Sequence, residues 1–76
     1  MEVPLINLSI NQTAIVRQFI GGQHFQHKLR MMGIREGKTI KLLALQPLRG
    51  PVVVEIDRRE LTIGRRMAQH IIVEIT

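Results

Sequence analysis

The sequence predicts a mainly β fold, a small five-stranded barrel with one short helix inserted over about residues 23–32 and a helical turn near residues 65–69. Three observations carry that prediction. Short β-branched and apolar segments alternate with period two and are punctuated by glycine and proline. One stretch alone, residues 21–37 (GGQHFQHKLRMMGIREG), changes period: Phe25, Leu29 and Met32 fall at i, i+4 and i+7, one face of a helix. The chain is also only 76 residues long, enough for one core, so residues 1–76 are expected to form one domain. Closure into a barrel would remove the edges that so small a sheet exposes.

Each element follows from local chemistry. Residues from Pro4 and Leu5 onward show low periodicity and lead to a polar corner at Asn11–Gln12. TAIVRQFI (13–20) is β-branched and aromatic enough for a first strand, ended by Gly21–Gly22. No Ser, Thr, Asp or Asn stands at the helix start, which leaves Gly22 as a weaker cap. Lys28 and Arg30 occupy the second half of the helix, where cations suit its dipole. Gly33 stands where a left-handed residue ends a helix, Ile34 where the accompanying contact to Leu29 belongs, and Gly37 permits a second turn.

KTIKLLALQ (38–46) puts Ile40, Leu42 and Ala44 on one face and Leu43 and Leu45 on the other, a strand expected to be covered on both sides. PLRGP is a turn, because Pro47, Gly50 and Pro51 do not suit a central strand. PVVVEID then alternates with Val52, Val54 and Ile56 inward. Arg58-Arg59-Glu60 is expected to connect it to a short strand at Leu61 and Ile63. Gly64 breaks that strand, RRMAQ forms a helical turn, and Ile71, Val73 and Ile75 mark the last strand.

Composition removes several function classes. Without cysteine there is no disulfide framework, thiolate metal site or thiol catalysis. No apolar run approaches the roughly 18 residues a membrane helix needs, and MEVPLINLSINQ has neither the basic nor the apolar region of a secretory signal. A cytoplasmic protein is therefore expected. Only six acidic residues are present, no carboxylate pair or Ser/His/Asp pattern stands out, and Gly21–Gly22 lacks the lysine of a phosphate loop. An enzyme is not expected.

The charge balance points instead to a partner. Eleven Lys and Arg against six Asp and Glu give a formal charge of +5, which suits an acidic target. Arg17, Lys28, Arg30, Arg35, Lys38 and Lys41 crowd around the helix and its exit turn, and Arg58, Arg59, Arg65 and Arg66 flank LTIG. Of these, Lys28, Arg30, Arg35 and Lys41 are the expected partner-binding residues. A nucleic-acid target is the alternative, but Phe19 and Phe25 are the only aromatics and Phe25 belongs to the helix core face, leaving none for base stacking. Direct membrane insertion is not expected, and association with a second copy of the chain stays open. His24 and His27 stand at i, i+3 with Met31 one turn beyond, a candidate weak site for Fe(II) or Zn(II) that falls short of a full ligand set.

The ordered pattern from about Leu5 to Ile75 resembles the FeoA family. It comprises a strand, GG, a helix ending L-x-x-M-G-I, x-x-G, a strand, P-L-x-G-P, V-x-V, and L-x-I-G-R-x-x-A-x-x-I-x-V. Leu29, Gly33, Ile34, Gly37, Pro47, Pro51, Leu61, Ile63, Ala68, Ile71 and Val73 carry it. Two departures stand out: Arg49-Gly50-Pro51 lacks the aspartate common after the family's glycine, and Asn11 replaces a glycine. Asparagine tolerates left-handed backbone, so the second costs the fold little. The resemblance implies an SH3-like barrel in a cytoplasmic accessory of ferrous iron uptake, acting on the GTP-hydrolysing domain of the FeoB-type transporter. It equally implies kinship with the domain appended to metal-dependent repressors, where a metal-sensing role is the alternative.

Overall fold

The structure, a computed structural model, describes residues Met1–Thr76. In chain order it contains β1 (Glu2–Pro4), a 3-10 turn (Leu5–Asn7), β2 (Thr13–Phe19), α1 (Gln23–Met31), β3 (Thr39–Leu45), β4 (Val52–Ile56), β5 (Arg59–Ile63), α2 (Arg65–Gln69) and β6 (Ile71–Ile75). The strands form one antiparallel sheet in the order β1-β6-β2-β3-β4-β5. Sixteen buried residues, all apolar, make a single core between the sheet, α1, α2 and the 3-10 turn.

The mainly β, SH3-like architecture with its one inserted helix is as expected, but the strand count and closure are not. There are six strands rather than five, and β1 and β5 remain unpaired edges of an open sheet. β1 is too short to show alternation, and Pro4, which has no N–H to donate, is tolerated because β1 is an edge strand on β6. The open side is packed by local structure instead: α2 lies against the 3-10 turn, and Leu5, Leu8 and Ala68 are buried there.

α1 ends as its sequence dictates. Gly33 has φ +97°, its N–H donates to the Arg30 carbonyl at 3.0 Å, and the Ile34 N–H donates to the Leu29 carbonyl at 3.0 Å. These two bonds define a Schellman motif, and both Leu29 and Ile34 are fully buried. Gly22 caps the other end without a side-chain bond.

Two β-bulges and one turn shift the expected faces. A bulge between Leu42 and Ala44 turns β3, so Ala44 is only half-buried while Leu42 is buried. The outer side of β3 is not covered as expected, since Leu45 is exposed and Leu43 only half-buried. The second bulge, between Val16 and Gln18, sends Arg17 outward to an ion pair with Glu74 at 2.7 Å. The β4–β5 connection is the two-residue turn Asp57–Arg58, both at positive φ, and Arg59 and Glu60 belong to β5 rather than to the connection.

Candidate functional site

Where β2 runs out, Ile20 and Gly21 carry the chain into α1, and α2 lies opposite. Together Ile20, Gly21, Phe25, Met67 and His70 line an open apolar groove of about 340 Å³, with Arg66 on its rim. Gly21 is needed there for space: a Cβ would come within 2.7 Å of Phe25 Cδ2. The Phe25 and His70 rings meet edge to face, 6.0 Å between centroids and 81° between planes. His70 Nδ1 lies 2.9 Å from the Arg66 carbonyl, which can only accept, so the neutral ring carries its proton on Nδ1. Ile20 is half exposed. A groove walled largely in carbon with a cation at its lip suits an apolar side chain from an acidic segment; its lining holds no hydroxyl, thiol or carboxylate.

The opposite flank of α1 is polar. Gln23, His24, Gln26, His27 and Arg30 line a shallow depression there. Arg30 is anchored: it donates to Glu36 at 2.7 Å and to Gln26 at 3.2 Å, and its guanidinium lies 5.6 Å over the Phe19 ring. The hydrogen bond from Arg30 holds the Glu36 carboxyl below the ordinary carboxylate value, and Glu36 in turn raises Arg30. Arg30 thus ties the helix to its exit turn as well as offering charge.

The other expected contact residues separate. Helical steps of about 100° put Lys28 and Arg30 on opposite flanks of buried Leu29. Lys28 and Arg35 are exposed and meet no carboxylate. Arg59 reaches from the start of β5 to the Met32 carbonyl at 3.4 Å, bringing its guanidinium to the C-terminal end of α1. Lys41 is set apart: it stands between Thr13 and Glu55 on the outer face of the sheet, whereas its neighbours Ile40 and Leu42 point into the core that α1 covers.

His24, His27 and Met31 share the solvent face of α1, with Met31 73% exposed. His70 is directed to Phe25 on the core side of that helix. No group of three or more His, Cys, Asp or Glu side chains comes together. Two imidazoles and one solvent-facing thioether do not by themselves fit Fe(II) or Zn(II), which take four or more ligands with borderline or harder donors.

The groove is the feature sequence reasoning missed. Its walls come from the end of β2, the start of α1 and α2, and the only local signals were an apolar Ile20 before Gly21–Gly22 and a Met67 inside a basic helical turn. No helix is long and apolar enough to cross a membrane.

Comparison places this arrangement among known proteins. The sequence matches the family model described as the FeoA domain over residues 3–75. The chain superposes on the crystal structure of an iron uptake regulatory protein, FeoA, with a TM-score of 0.89 at 29% identity, covering 100% of this chain and 99% of that one. It also matches iron(II) transport protein A from Clostridium thermocellum, with a TM-score of 0.89, 28% identity, and 97% and 46% of the two chains covered. T. acidophilum IdeR gives a TM-score of 0.85 at 25% identity, with 99% of this chain but 34% of that chain covered. No curated protein sequence matches.

Proposed function

The chain belongs to the FeoA family, and on that premise we propose that it is a non-enzymatic, cytoplasmic accessory of ferrous iron uptake that docks on the GTPase domain of an FeoB-type transporter. The observation that carries the proposal is the end-to-end likeness to an iron uptake regulatory protein, with nearly all of both chains covered. The apolar groove between α1 and α2, with Arg66 at its edge, supplies a surface of the required kind. Iron is the transporter's cargo in this scheme.

Of the four proposed contact residues, Lys28 and Arg35 are free to meet a partner's carboxylates, Arg30 contributes charge while bracing the helix, and Lys41 lies on the outer sheet face. Reversing Arg30 would also break its bonds to Glu36 and Gln26, so the cleaner test reverses Lys28 and Arg35. Rim charges steer encounter, so association with the immobilised soluble transporter domain should slow as salt rises while dissociation changes little. The Lys28→Glu/Arg35→Glu pair should slow association about tenfold at low salt and leave thermal stability unchanged. Wild-type association in the double mutant, or salt-independent association, would remove the basic surface from the docking site.

A metal-sensing role of the repressor type is favoured by one observation, the likeness to IdeR, of which this chain spans about a third. A nucleic-acid target has less support, because Phe19 is buried under Arg30 and Phe25 is half-buried against His70, so no fully exposed aromatic ring is offered to a base.

A further inference from the structure

The tip of the β3–β4 hairpin holds two side chains in an unfavourable backbone. Leu48 and Arg49 have φ of 59° and 60°, and the Gly50 N–H donates to the Pro47 carbonyl at 3.1 Å to close the turn. Turns of this shape normally take Asn or Gly, because a Cβ crowds the backbone at positive φ. Here the first central residue is a leucine, and it is 99% exposed.

The base of the turn is fixed. The Gln46 N–H donates to the Pro51 carbonyl at 3.1 Å. Arg65 of α2 donates from Nε to the Gly50 carbonyl at 3.4 Å and from Nη2 to the Gln46 carbonyl at 3.3 Å. Pro47 and Pro51 restrict the chain on either side. The same α2 carries Met67 of the groove and leads directly into His70, so turn and groove share one element.

We propose that this turn is a docking pin: Leu48 enters an apolar socket on a protein partner, and Arg49 beside it meets carboxylates at the socket's edge. The pin rests on the transporter proposal above and adds a second contact to it. A leucine held on a braced turn is ordered before it binds, which lowers the entropic cost of docking. Residues 46–51 contain no carboxylate that would oppose an acidic rim. A single leucine buries too little apolar surface to hold the protein on a lipid bilayer, which favours a preformed protein socket.

The test compares wild type, Leu48→Asn and Leu48→Met for binding to the soluble GTPase domain of the transporter and to vesicles containing anionic phosphatidylglycerol, with Tm measured alongside. Asparagine suits the left-handed backbone, so Leu48→Asn should raise Tm by about 4 °C while weakening Kd for the domain at least tenfold. Leu48→Met should stay close to wild type in affinity. Opposite movement of stability and affinity supports the pin, because a structural role alone would move Tm without touching Kd. If Leu48→Asn binds the domain like wild type, the pin is overturned and the transporter proposal stands. If wild type itself fails to bind the domain, the transporter proposal fails and the pin falls with it. Vesicle binding by wild type that Leu48→Asn abolishes would make the turn a lipid contact and likewise overturn the pin.

Discussion

Gly33 shows how one residue fixes the geometry of the functional surface. Its φ of +97° lets the N–H groups of Gly33 and Ile34 turn back onto the last carbonyls of α1, so Leu29 and Ile34 enter the core together. An L-residue is strained at that dihedral. The space at the site is a lesser matter, because the atom nearest an added Cβ is Arg59 Nη2 at 2.6 Å, the far end of a long side chain. Gly33→Ala should therefore cost about 1–2 kcal/mol, with a Tm loss of roughly 4–8 °C per kcal/mol, and Gly33→Val should cost more. Thermal unfolding followed by circular dichroism checks this, and an unchanged Tm in Gly33→Ala would refute the dihedral argument. Leu48 and Arg49 adopt the same backbone region without glycine, and there the strain displays side chains on the surface instead of ending an element.

α1 and its exit turn are coupled by the Arg30–Glu36 pair, and that coupling has a pH signature. Glu36 is held below its ordinary value of 4.5, chiefly by the hydrogen bond from Arg30. A carboxylate lowered in the folded state contributes stability that is present above the unfolded value and lost as pH falls through the folded one. Wild type should thus lose more stability than Glu36→Gln as pH drops from about 5 to 3, by a small amount because both partners are more than a third exposed. Denaturant unfolding across that window checks the sign; equal slopes would show that the pair does not contribute. The helix was legible in the sequence because its apolar period, its glycine stop and its late cations all agree. β1 was not, since three residues carry no period, and the bulges at Val16/Gln18 and Leu42/Ala44 are set by cross-strand register, which a single strand's alternation does not contain. The turn at Asp57–Arg58 was misplaced by one residue or more because it lacks the glycine that usually marks one.

At the scale of the whole molecule, charge and apolar exposure are unevenly distributed. Three ion pairs take up Glu36, Asp57 and Glu74, and Glu55 and Glu60 stand paired across β4 and β5 on the outer face of the sheet with Lys41 next in line. Five cations that meet no carboxylate, Lys28, Arg35, Arg49, Arg58 and Arg66, lie in or next to the two helices and the two hairpin turns. Residue counts revealed the excess charge; its partition between faces needed the fold, because Arg30 in α1 and Lys41 in β3 belong to one basic stretch of sequence yet differ in what they face. The groove was illegible for the same reason, as Ile20 and Met67 become neighbours only when α2 packs beside α1. The most direct test of the docking account is a titration of the isotope-labelled protein with the unlabelled transporter GTPase domain, followed by amide chemical shifts. The account predicts saturable changes at Gly21, Phe25, Lys28, Arg35, Leu48, Met67 and His70, with Thr13, Glu55 and Thr62 on the outer sheet face left in place. Changes centred on that outer face, or none at saturating domain, would contradict it.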